Sequence, residues 1–370
     1  MHIEYIIYGY GLICVSMLVF NVVYSLYLQN SQRRLTHKSL AMDRETERQL
    51  ARIREGEAIT PSHRNTVLHY LSRIGDLMAF EAMMGDRDRQ EPTLQRYMEA
   101  LTPTFLQLTV IYREREDMQA AYYCHFLTRH LYCSSPAMLA DFRREVLAYL
   151  DKPGLYCRVH ALRAICAFGD VQGVIDALIL LKERPGASLH TKVLVEVLLT
   201  FQGDGTQLIE ALWQHFDRFS LPMQRALLDF MRFYGGQCQD EMLNILQDAE
   251  RNQELRFAAM RYFGKFPAAA AQAPLLAFLQ DTAPGHWEYA AIAASVLAAY
   301  EGERVDEALA QAMHNSNWYV RYNAAASLEK HGLSEAQLLA VAGDDAQARE
   351  MLRYRLHMRQ QGGLQEGAGL

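Results

Sequence analysis

The sequence has 370 residues, half of them apolar, with 37 Lys and Arg against 43 Asp and Glu and a net charge of −6. Nucleic-acid-binding surfaces carry an excess of positive charge, so this balance disfavours a nucleic-acid partner. With only 22 Gly and 10 Pro, collagen-like and low-complexity chains are excluded as well.

The first predicted element is a membrane span from Tyr5 to Leu28. No charged residue occurs between Tyr5 and Gln32, and large apolar residues dominate this stretch. About 20 apolar residues are enough for a helix to cross a bilayer. A buried core helix is the alternative, which the length disfavours, and a cleaved signal peptide would have a basic start and a shorter apolar run. The sequence therefore predicts one retained transmembrane helix, with the anchor region covering residues 1–32.

The charges that flank this span predict its orientation. Arg33, Arg34 and Lys38 follow the span, whereas only Glu4 precedes it. Positive flanks stay in the cytoplasm, so we expect the N-terminus outside and the remainder inside, at a plasma or inner membrane. The six cysteines show no paired spacing typical of a secreted disulfide scaffold, which agrees with a reducing compartment.

Small and polar residues share one face of the predicted span. They recur at spacings of three and four, which places them on one side of a helix: Gly11, Cys14, Leu18, Asn21 and Ser25. An amide in hydrocarbon needs a hydrogen-bonding partner, so Asn21 is the most informative member. Packing against other transmembrane helices is one interpretation of this face, and hydration of Asn21 near the interface is the other.

Residues 33–60 are predicted to form a solvated juxtamembrane helix or linker. Basic and acidic side chains alternate there, and residues 33–64 carry a net charge of +3, whereas residues 65–370 carry −8. The basic charge therefore lies beside the membrane, where it can contact anionic lipid headgroups.

Beyond residue 64 the apolar pattern predicts helices throughout, because apolar residues recur at three- and four-residue spacing in segments of about 12–16 residues. Turn signals at residues 152–154, 185–186, 203–205, 235–236, 267, 284–285 and 332 divide the chain into helix hairpins. One position of the second helix recurs every 31–34 residues, at Arg158, Lys192, Arg225, Arg256, Glu288 and Arg321. A fixed period of this length indicates a helical repeat protein.

The last of these units, NSNWYVRYNAAASLEKHG at residues 315–332, resembles the second helix of HEAT repeats, in which Val-Arg precedes small residues. Residues 250–267 and 155–170 resemble the same motif, and the short period is most similar to HEAT-like repeats of the phycobilisome-lyase type. A tetratricopeptide array has a similar period, but its Trp, Leu-Gly and Tyr signature is missing. Asn317 and Asn252 stand near where the family often has Asp.

The resemblance implies an all-α fold, a right-handed α-solenoid of HEAT-like helix hairpins preceded by the transmembrane helix. It covers residues 135–342, whereas residues 61–134 are predicted to be helical, diverged repeats. Residues 343–361 are predicted to form a basic C-terminal helix, with Arg349, Arg353, Arg355 and Arg359 on one stripe, and residues 362–370 a disordered tail.

A search for chemistry finds no nucleotide-binding glycine loop, nucleophile elbow or metalloprotease motif. Cys124, His125, His130 and Cys133 are the best metal candidates, but nine residues separate the two cysteines, and packing in a helix face is favoured over zinc. Asp86 and Asp88, on either side of Arg87, are interpreted as a solvated loop. We therefore predict no catalytic residue, no metal, no cofactor, no small-molecule substrate and no enzymatic activity.

Aromatic side chains at helix ends are the candidates for binding a protein, because Trp and Tyr dominate the energetics of interfaces. Packing within the hairpins is the favoured interpretation of the whole set, Trp213, Phe216, Phe219, Trp287, Trp318 and Tyr319. Trp287, Trp318 and Tyr319 are the candidates for binding, and Trp287 and Trp318 are the best candidates for exposure because they begin their helices. The repeated Arg158, Arg256 and Arg321 are predicted to bond within the chain.

These observations predict a membrane-anchored, cytoplasm-facing scaffold that binds a membrane-associated protein. An envelope glycosyltransferase or secretion complex is the kind of assembly that the polar transmembrane face suits. The alternative is a lyase or chaperone-like modifier, which the phycobilisome-lyase resemblance implies. A nucleic-acid-binding repeat protein would need a basic groove, and the net charge of −8 argues against it.

Overall fold

The computed structural model describes residues 2–366 except 86, 89, 184, 185, 187, 282 and 284. Asp86, the predicted helix breakers Pro185 and Pro284, and residues 367–370 of the predicted tail lie outside the described residues, as do the side chains of Tyr5 and Arg359. Within the described part of the chain every regular element is a helix and no strand occurs, which confirms the all-α prediction.

Twenty α-helices follow one another in the described residues. The first ten are α1 His2–Arg54, α2 Pro61–Leu71, α3 Ile74–Gly85, α4 Pro92–Ala100, α5 Thr102–Arg113, α6 Asp117–His130, α7 Pro136–Leu147, α8 Leu155–Ala167, α9 Val171–Glu183 and α10 Thr191–Leu198. The others are α11 Gly205–Gln214, α12 Leu221–Tyr234, α13 Gln239–Gln247, α14 Gln253–Lys265, α15 Ala269–Gln280, α16 Trp287–Val296, α17 Glu303–Ala312, α18 Trp318–Lys330, α19 Glu335–Ala342 and α20 Ala346–Glu366.

The helices form two compact units. Unit 1 comprises Met1–Leu189 and Thr200–Leu208, and unit 2 comprises His190–Leu199 and Ile209–Leu370. The division therefore falls within the stretch predicted as one array at residues 135–342. In unit 1, α6 packs along α8, and in unit 2 the helices α12, α14, α16, α18 and α20 pack side by side in one row.

Helix α1 is continuous over 53 residues and joins the predicted span to the predicted linker. Its segment Tyr8–Leu26 is long and apolar enough to cross a membrane, and none of it is buried against the rest of the protein. The second half of α1 differs from a solvated linker, because Thr46, Gln49, Leu50 and Ile53 are buried. Residues 33–54 are thus a helix that packs on unit 1 along one face.

Ion pairs hold this half of α1 in place. Lys38 pairs with the buried Asp76, and Arg87 donates to Asp43 at 2.5 Å and to Glu47 at 2.7 Å. Burial alone would lower the pKa of Arg87, but its bonds to these two carboxylates raise the pKa overall. Arg87 lies in the loop between α3 and α4, as expected, but its side chain is ion-paired rather than solvated, because its carboxylate partners lie 40 and 44 residues earlier in the chain.

The core of unit 1 is rich in aromatic side chains. The rings of Tyr112 and Tyr123 stack with centroids 4.6 Å apart, and Phe105 packs edge to face on Phe126 at 5.4 Å. The phenol oxygen of Tyr112 donates to the carbonyl of Leu71 at 2.7 Å. Buried phenol groups need such partners, so each ring both fills the core and ties two helices together.

Helices α16 and α18 of unit 2 pack on each other through small residues instead. Ala290 and Ala294 of α16 and Ala324 of α18 are fully buried, and Ser327 of α18 donates to the carbonyl of Ala294 at 2.6 Å. Small side chains let the two backbones approach closely enough for a short hydroxyl to bridge them. This arrangement agrees with the small residues that follow Val320 in the predicted motif.

The repeated arginines bond within the chain, as predicted. Arg321 donates to the carbonyls of Asn315 and Ser316 at 2.6 and 3.0 Å and to the Gln347 side chain at 3.0 Å. Arg158 donates to the carbonyls of Lys152 and Pro153 at 3.2 and 3.0 Å, and Arg256 donates to the carbonyl of Leu246 at 3.2 Å. Arg158 and Arg321 therefore fix the loop that precedes their own helix, and Arg256 bonds to the last turn of the preceding helix α13.

Asparagine takes the N-cap position ahead of two of these helices. The side chain of Asn317 accepts from the backbone N–H of Tyr319 at 2.8 Å, and Asn252 accepts from that of Glu254 at 2.9 Å. A side-chain oxygen at this position satisfies one of the free N–H groups of the first helical turn. The asparagines therefore cap the helices where the family often has Asp.

The C-terminal helix α20 extends to Glu366, into the segment predicted to be a disordered tail. Its arginines do not form one exposed stripe. Arg355 is buried, pairs with Glu329 at 2.5 Å and lies over the ring of Tyr322 at 4.4 Å. Two residues along a helix correspond to a turn of about 200°, so Arg353 is exposed while Arg355 faces α18.

Candidate functional site

The predicted binding residues of unit 2 lie together on its surface. Trp287 begins α16, and Trp318 and Tyr319 begin α18, with 41, 37 and 56% of each residue exposed. Trp287 stacks on Tyr319 with ring centroids 5.8 Å apart, and Trp318 lies perpendicular to Tyr319 at 5.3 Å. Three residues that sequence analysis placed separately therefore form one aromatic surface.

Two further tyrosines extend this surface. Trp318 packs on Tyr354 of α20 at 5.5 Å and on Tyr322 at 4.9 Å. Tyr354 is 47% exposed. Sequence reasoning missed Tyr354 because it lies in the ninth position of its helix, outside the repeated motif. We call the set Trp287, Trp318, Tyr319, Tyr322 and Tyr354 the aromatic row.

The backbone under the aromatic row is fixed by polar contacts. Asn317 caps α18 directly before Trp318, and the buried Arg321 holds residues 315 and 316. These contacts fix the backbone of the first turn of α18, which carries Trp318 and Tyr319.

Two histidine–aspartate pairs lie in the loops that precede the helices of the aromatic row, α16, α18 and α20. His286 contacts Asp281 at 2.7 Å, and His314 contacts Asp345 at 2.9 Å. The backbone N–H of Ala283 and then His286 lower the pKa of Asp281, whereas His314 and then the backbone N–H of Ala348 lower that of Asp345. Both carboxylates are therefore negatively charged at neutral pH.

The other aromatic residues pack inside their hairpin, as predicted. Phe216 and Phe219 are buried, and Trp213 packs on Phe216 with ring centroids 4.8 Å apart. Burial raises the pKa of the Cys238 thiol, and the neighbouring Trp213 side chain opposes that shift.

Unit 1 contains a cavity of about 600 Å³ between α1, α2 and α3. Its apolar wall includes Met42, Val67 and Phe80, and its charged groups include Lys38 and Asp76. This volume lies in the range of small-molecule sites. Sequence reasoning missed the cavity, because its walls come from helices that the sequence describes as a linker and diverged repeats.

Buried His63 lies at one end of that cavity. Its Nε2 is 2.9 Å from the phenol oxygen of Tyr97, and its Nδ1 is 3.6 Å from Glu45. Burial lowers the pKa of His63, and Glu45 opposes that shift. Burial also raises the pKa of Tyr97 to about 12. Both groups are therefore neutral at neutral pH.

The residues weighed as zinc ligands do not form a metal site, although His125 and His130 both lie near Glu81. Cys124 is fully buried, and burial raises its thiol pKa well above the usual value. His130 is buried beside the ring of Phe126, and His125 lies 3.5 Å from Glu81. Among the described residues no group of three or more His, Cys, Asp or Glu side chains is arranged to hold a metal ion.

The polar face of the candidate span has no packing partner within the described part of the chain. Cys14, Leu18, Asn21 and Ser25 are exposed, and a Cβ at Gly11 would meet nothing within 4 Å. Its role in helix association stays a prediction.

Comparisons with known proteins support a HEAT-like helical repeat. The profile of the family described as HEAT repeats matches residues 239–329. No curated protein matches the sequence. A solved structure of human deoxyhypusine hydroxylase in complex with glycerol shares 16% identity, with 81% of this chain and 96% of that chain covered and a TM-score of 0.27.

The prediction that the chain is not an enzyme is contradicted by this match, because the protein in the solved structure is named as a hydroxylase. An identity of 16% and a TM-score of 0.27 transfer no activity to the present chain. The family profile over residues 239–329 and the all-helical structure of the described residues support a HEAT-like solenoid.

Proposed function

We propose that this protein is a membrane-anchored HEAT-like scaffold that binds a membrane-associated protein through the aromatic row of unit 2. Five rings in mutual contact, four of them well exposed, carry this proposal. Large exposed aromatic patches are costly in water and typical of binding surfaces. HEAT repeats in general mediate protein interactions, which supports the same conclusion.

The apolar segment Tyr8–Leu26 would hold the scaffold at a plasma or inner membrane, with the N-terminus outside and both units in the cytoplasm. Its exposure along the whole segment and the following Arg33 and Arg34 support this topology. Anchoring confines the protein to the bilayer surface, so that even a weak contact with a membrane partner becomes effective. The polar face around Asn21 would then contact a transmembrane helix of the same assembly, such as an envelope glycosyltransferase or secretion complex.

Site-specific photo-cross-linking in cells tests the aromatic row. A photoreactive residue in place of Tyr319 should link to one integral-membrane protein, whereas the same residue in place of Phe233 should not. Phe233 is a matched control because it is 50% exposed in the same unit but lies on α12, outside the aromatic row.

The double substitution Trp287→Ala and Trp318→Ala should abolish the cross-link from position 319 and leave the protein folded. Removal of hot-spot residues of this type costs about 2 kcal/mol or more of binding free energy. Equal cross-linking from positions 319 and 233, or an unchanged product in the double variant, would contradict the proposal.

A further inference from the structure

One edge of unit 1 lies on the side of the candidate membrane span. Helix α3 runs in the same direction as α1, because Lys38 pairs with Asp76 near the start of α3, whereas Asp43 and Glu47 pair with Arg87 just beyond its end. The beginning of α3 and the end of α2 are therefore the parts of these helices nearest to the span.

Hydrogen bonds extend this edge across unit 1. Tyr112, at the end of α5, donates to the carbonyl of Leu71 at the end of α2. Lys152, just before α8, donates to the carbonyl of Arg115 at 2.7 Å and lies 3.7 Å from Asp117, the first residue of α6. Residues 70–73, 112–118 and 152–156 therefore share one edge, which we call the span-side edge.

The direction of α6 agrees with this assignment. Glu81, in the second half of α3, accepts from Arg129 near the end of α6 at 3.1 Å. Both helices therefore run away from the span, and both begin at the span-side edge.

Exposed apolar side chains concentrate on the span-side edge. Six large apolar residues are exposed in the described part of unit 1 outside α1, and four of them lie on this edge: Tyr70, Met118, Leu155 and Tyr156, at 47, 66, 49 and 66%. The other two, Met78 and Val110, lie within α3 and α5. Tyrosine and large apolar residues are enriched where proteins meet the headgroup region of a bilayer.

The charges on the edge are mixed. Arg73 and Arg115 are exposed there together with Glu114 and Glu116. A surface with both signs and protruding apolar groups suits phospholipid headgroups through shallow insertion, whereas a purely electrostatic contact would require a basic surface.

Along an upright α1, a gap separates the level of Lys38 from the bilayer. Lys38 is the twelfth residue after Leu26, about 18 Å along the helix, and the headgroup region extends about 5–7 Å beyond the hydrocarbon, which leaves a gap of about 11–13 Å. The turn at Arg73 precedes Asp76 and therefore projects from the level of Lys38 towards the span. A tilt of about 20° is usual for single helices and brings the edge closer to the bilayer on one side.

We infer that the span-side edge of unit 1 rests on the phospholipid headgroups of the membrane that α1 crosses, with Leu155 and Tyr156 inserted between them. This inference rests on the proposed membrane span. Unit 1 would then be held in a fixed orientation on the bilayer by two contacts, the span and the edge.

Photo-cross-linking of the full-length protein in vesicles of phosphatidylethanolamine and phosphatidylglycerol tests this contact. A photoreactive residue in place of Tyr156 should give several times more phospholipid adduct, detected by mass spectrometry, than the same residue in place of Ala137. Ala137 is exposed at the start of α7, near residues 132 and 134, which contact Thr102 and Glu99. Because α5 begins at Thr102 and ends on the span-side edge, Ala137 lies at the opposite edge.

A third position separates the two possible failures. A photoreactive residue in place of Leu18 should give abundant lipid adducts if α1 spans the bilayer, and their absence would overturn both the span and this inference. Adducts at position 18 with equal, low yields at positions 156 and 137 would overturn the edge contact alone. Cross-linking of position 156 to a second copy of the chain instead of lipid would also overturn it.

Discussion

The helix pair α5–α6 in unit 1 packs through large aromatic side chains, whereas the helix pair α16–α18 in unit 2 packs through small ones. Tyr112 and Tyr123 fill the first contact with stacked rings, whereas Ala294 and Ala324 leave almost no space in the second. In both pairs a hydroxyl reaches a helix carbonyl, from Tyr123 to Phe105 at 2.5 Å and from Ser327 to Ala294 at 2.6 Å. Helix pairs of one architecture thus tolerate large or small contacts, provided that the polar groups remain bonded.

The largest expected effect comes from removing a ring in unit 1. Tyr123→Ala should lower the free energy of unfolding by about 3–5 kcal/mol, because it leaves a cavity in a fully packed contact. Chemical denaturation of the full-length protein in mild detergent measures this loss of free energy. Hydrogen exchange of unit 1 peptides, measured separately, shows whether the loss lies in unit 1. Tyr123→Phe keeps the ring, removes one hydrogen bond and should cost only about 0.5–1.5 kcal/mol. Equal losses in both variants would show that the ring does not support the contact.

Removing the repeated arginine, which makes the same kind of contact within each unit, should give the next largest loss of stability. Arg321→Ala leaves the carbonyls of Asn315 and Ser316 without their charged donor and should cost about 1.5–3 kcal/mol. Arg158→Ala should cost a similar amount in unit 1, measured by the same denaturation. Arg353→Ala is the control, since Arg353 is exposed and its loss should change stability little. A loss confined to one unit would mean that the repeated arginine has different roles in the two.

Enlarging a small residue of α18 tests the close contact between α16 and α18 in unit 2. Ala324→Leu should cost about 1–3 kcal/mol, since added methyl groups in a close contact force the helices apart. Ala346→Leu, at an exposed position of α20, serves as the matched control and should be nearly neutral. Stability that does not change in Ala324→Leu would indicate that α16 and α18 are loosely packed.

The smallest expected effect is a difference in acid response between the units. Burial lowers the pKa of His63 and His160 in unit 1 below 6.5, so the unfolded chain takes up protons first and stability falls as the pH drops below 6.5. In unit 2 the pKa values of Asp281 and Asp345 are lowered from 3.8, so their stabilisation is lost only at pH values below about 3.8.

Hydrogen exchange against pH distinguishes the two responses. The protection of unit 1 peptides, corrected for the intrinsic pH dependence of amide exchange, should begin to fall at a higher pH than that of unit 2 peptides, and His63→Gln should reduce the fall in unit 1. His69→Gln provides a control, because His69 is exposed in the same helix. Simultaneous falls in both units would contradict the assignment.

The repeat could be predicted from the sequence where its signals are local. The spacing of the arginines, the small residues after Arg321 and the glycines that end helices all recur within about 33 residues. The recurrence has a direct structural reason at Gly169 and Gly203, since a Cβ at Gly203 would collide with the carbonyl oxygen of Gly169. The exposure of Trp287 and Trp318 could likewise be predicted, because both residues begin their helices.

The packing of α1 could not be predicted in this way. In the sequence nothing distinguishes Lys38, Asp43 and Glu47 from solvated charges. Their partners lie about 40 residues later, in α3 and just beyond its end. The tyrosines of unit 1 are similar, because Tyr112 reaches back 41 residues to the carbonyl of Leu71. Contacts of this range depend on how the helices stack, which a local pattern does not contain.

The absence of any break in α1 has a mechanical consequence. Because each residue of an α-helix turns by about 100°, the side of the rod that carries Asn21 and the side that carries Lys38 and Asp43 have a fixed angular phase. A single alanine inserted after Gln29 would rotate one side against the other by about 100°, whereas seven inserted residues would restore the phase to within about 20°. If Tyr8–Leu26 crosses a bilayer as proposed, a twist or piston movement of that segment would be passed along the continuous helix to the first helices of unit 1.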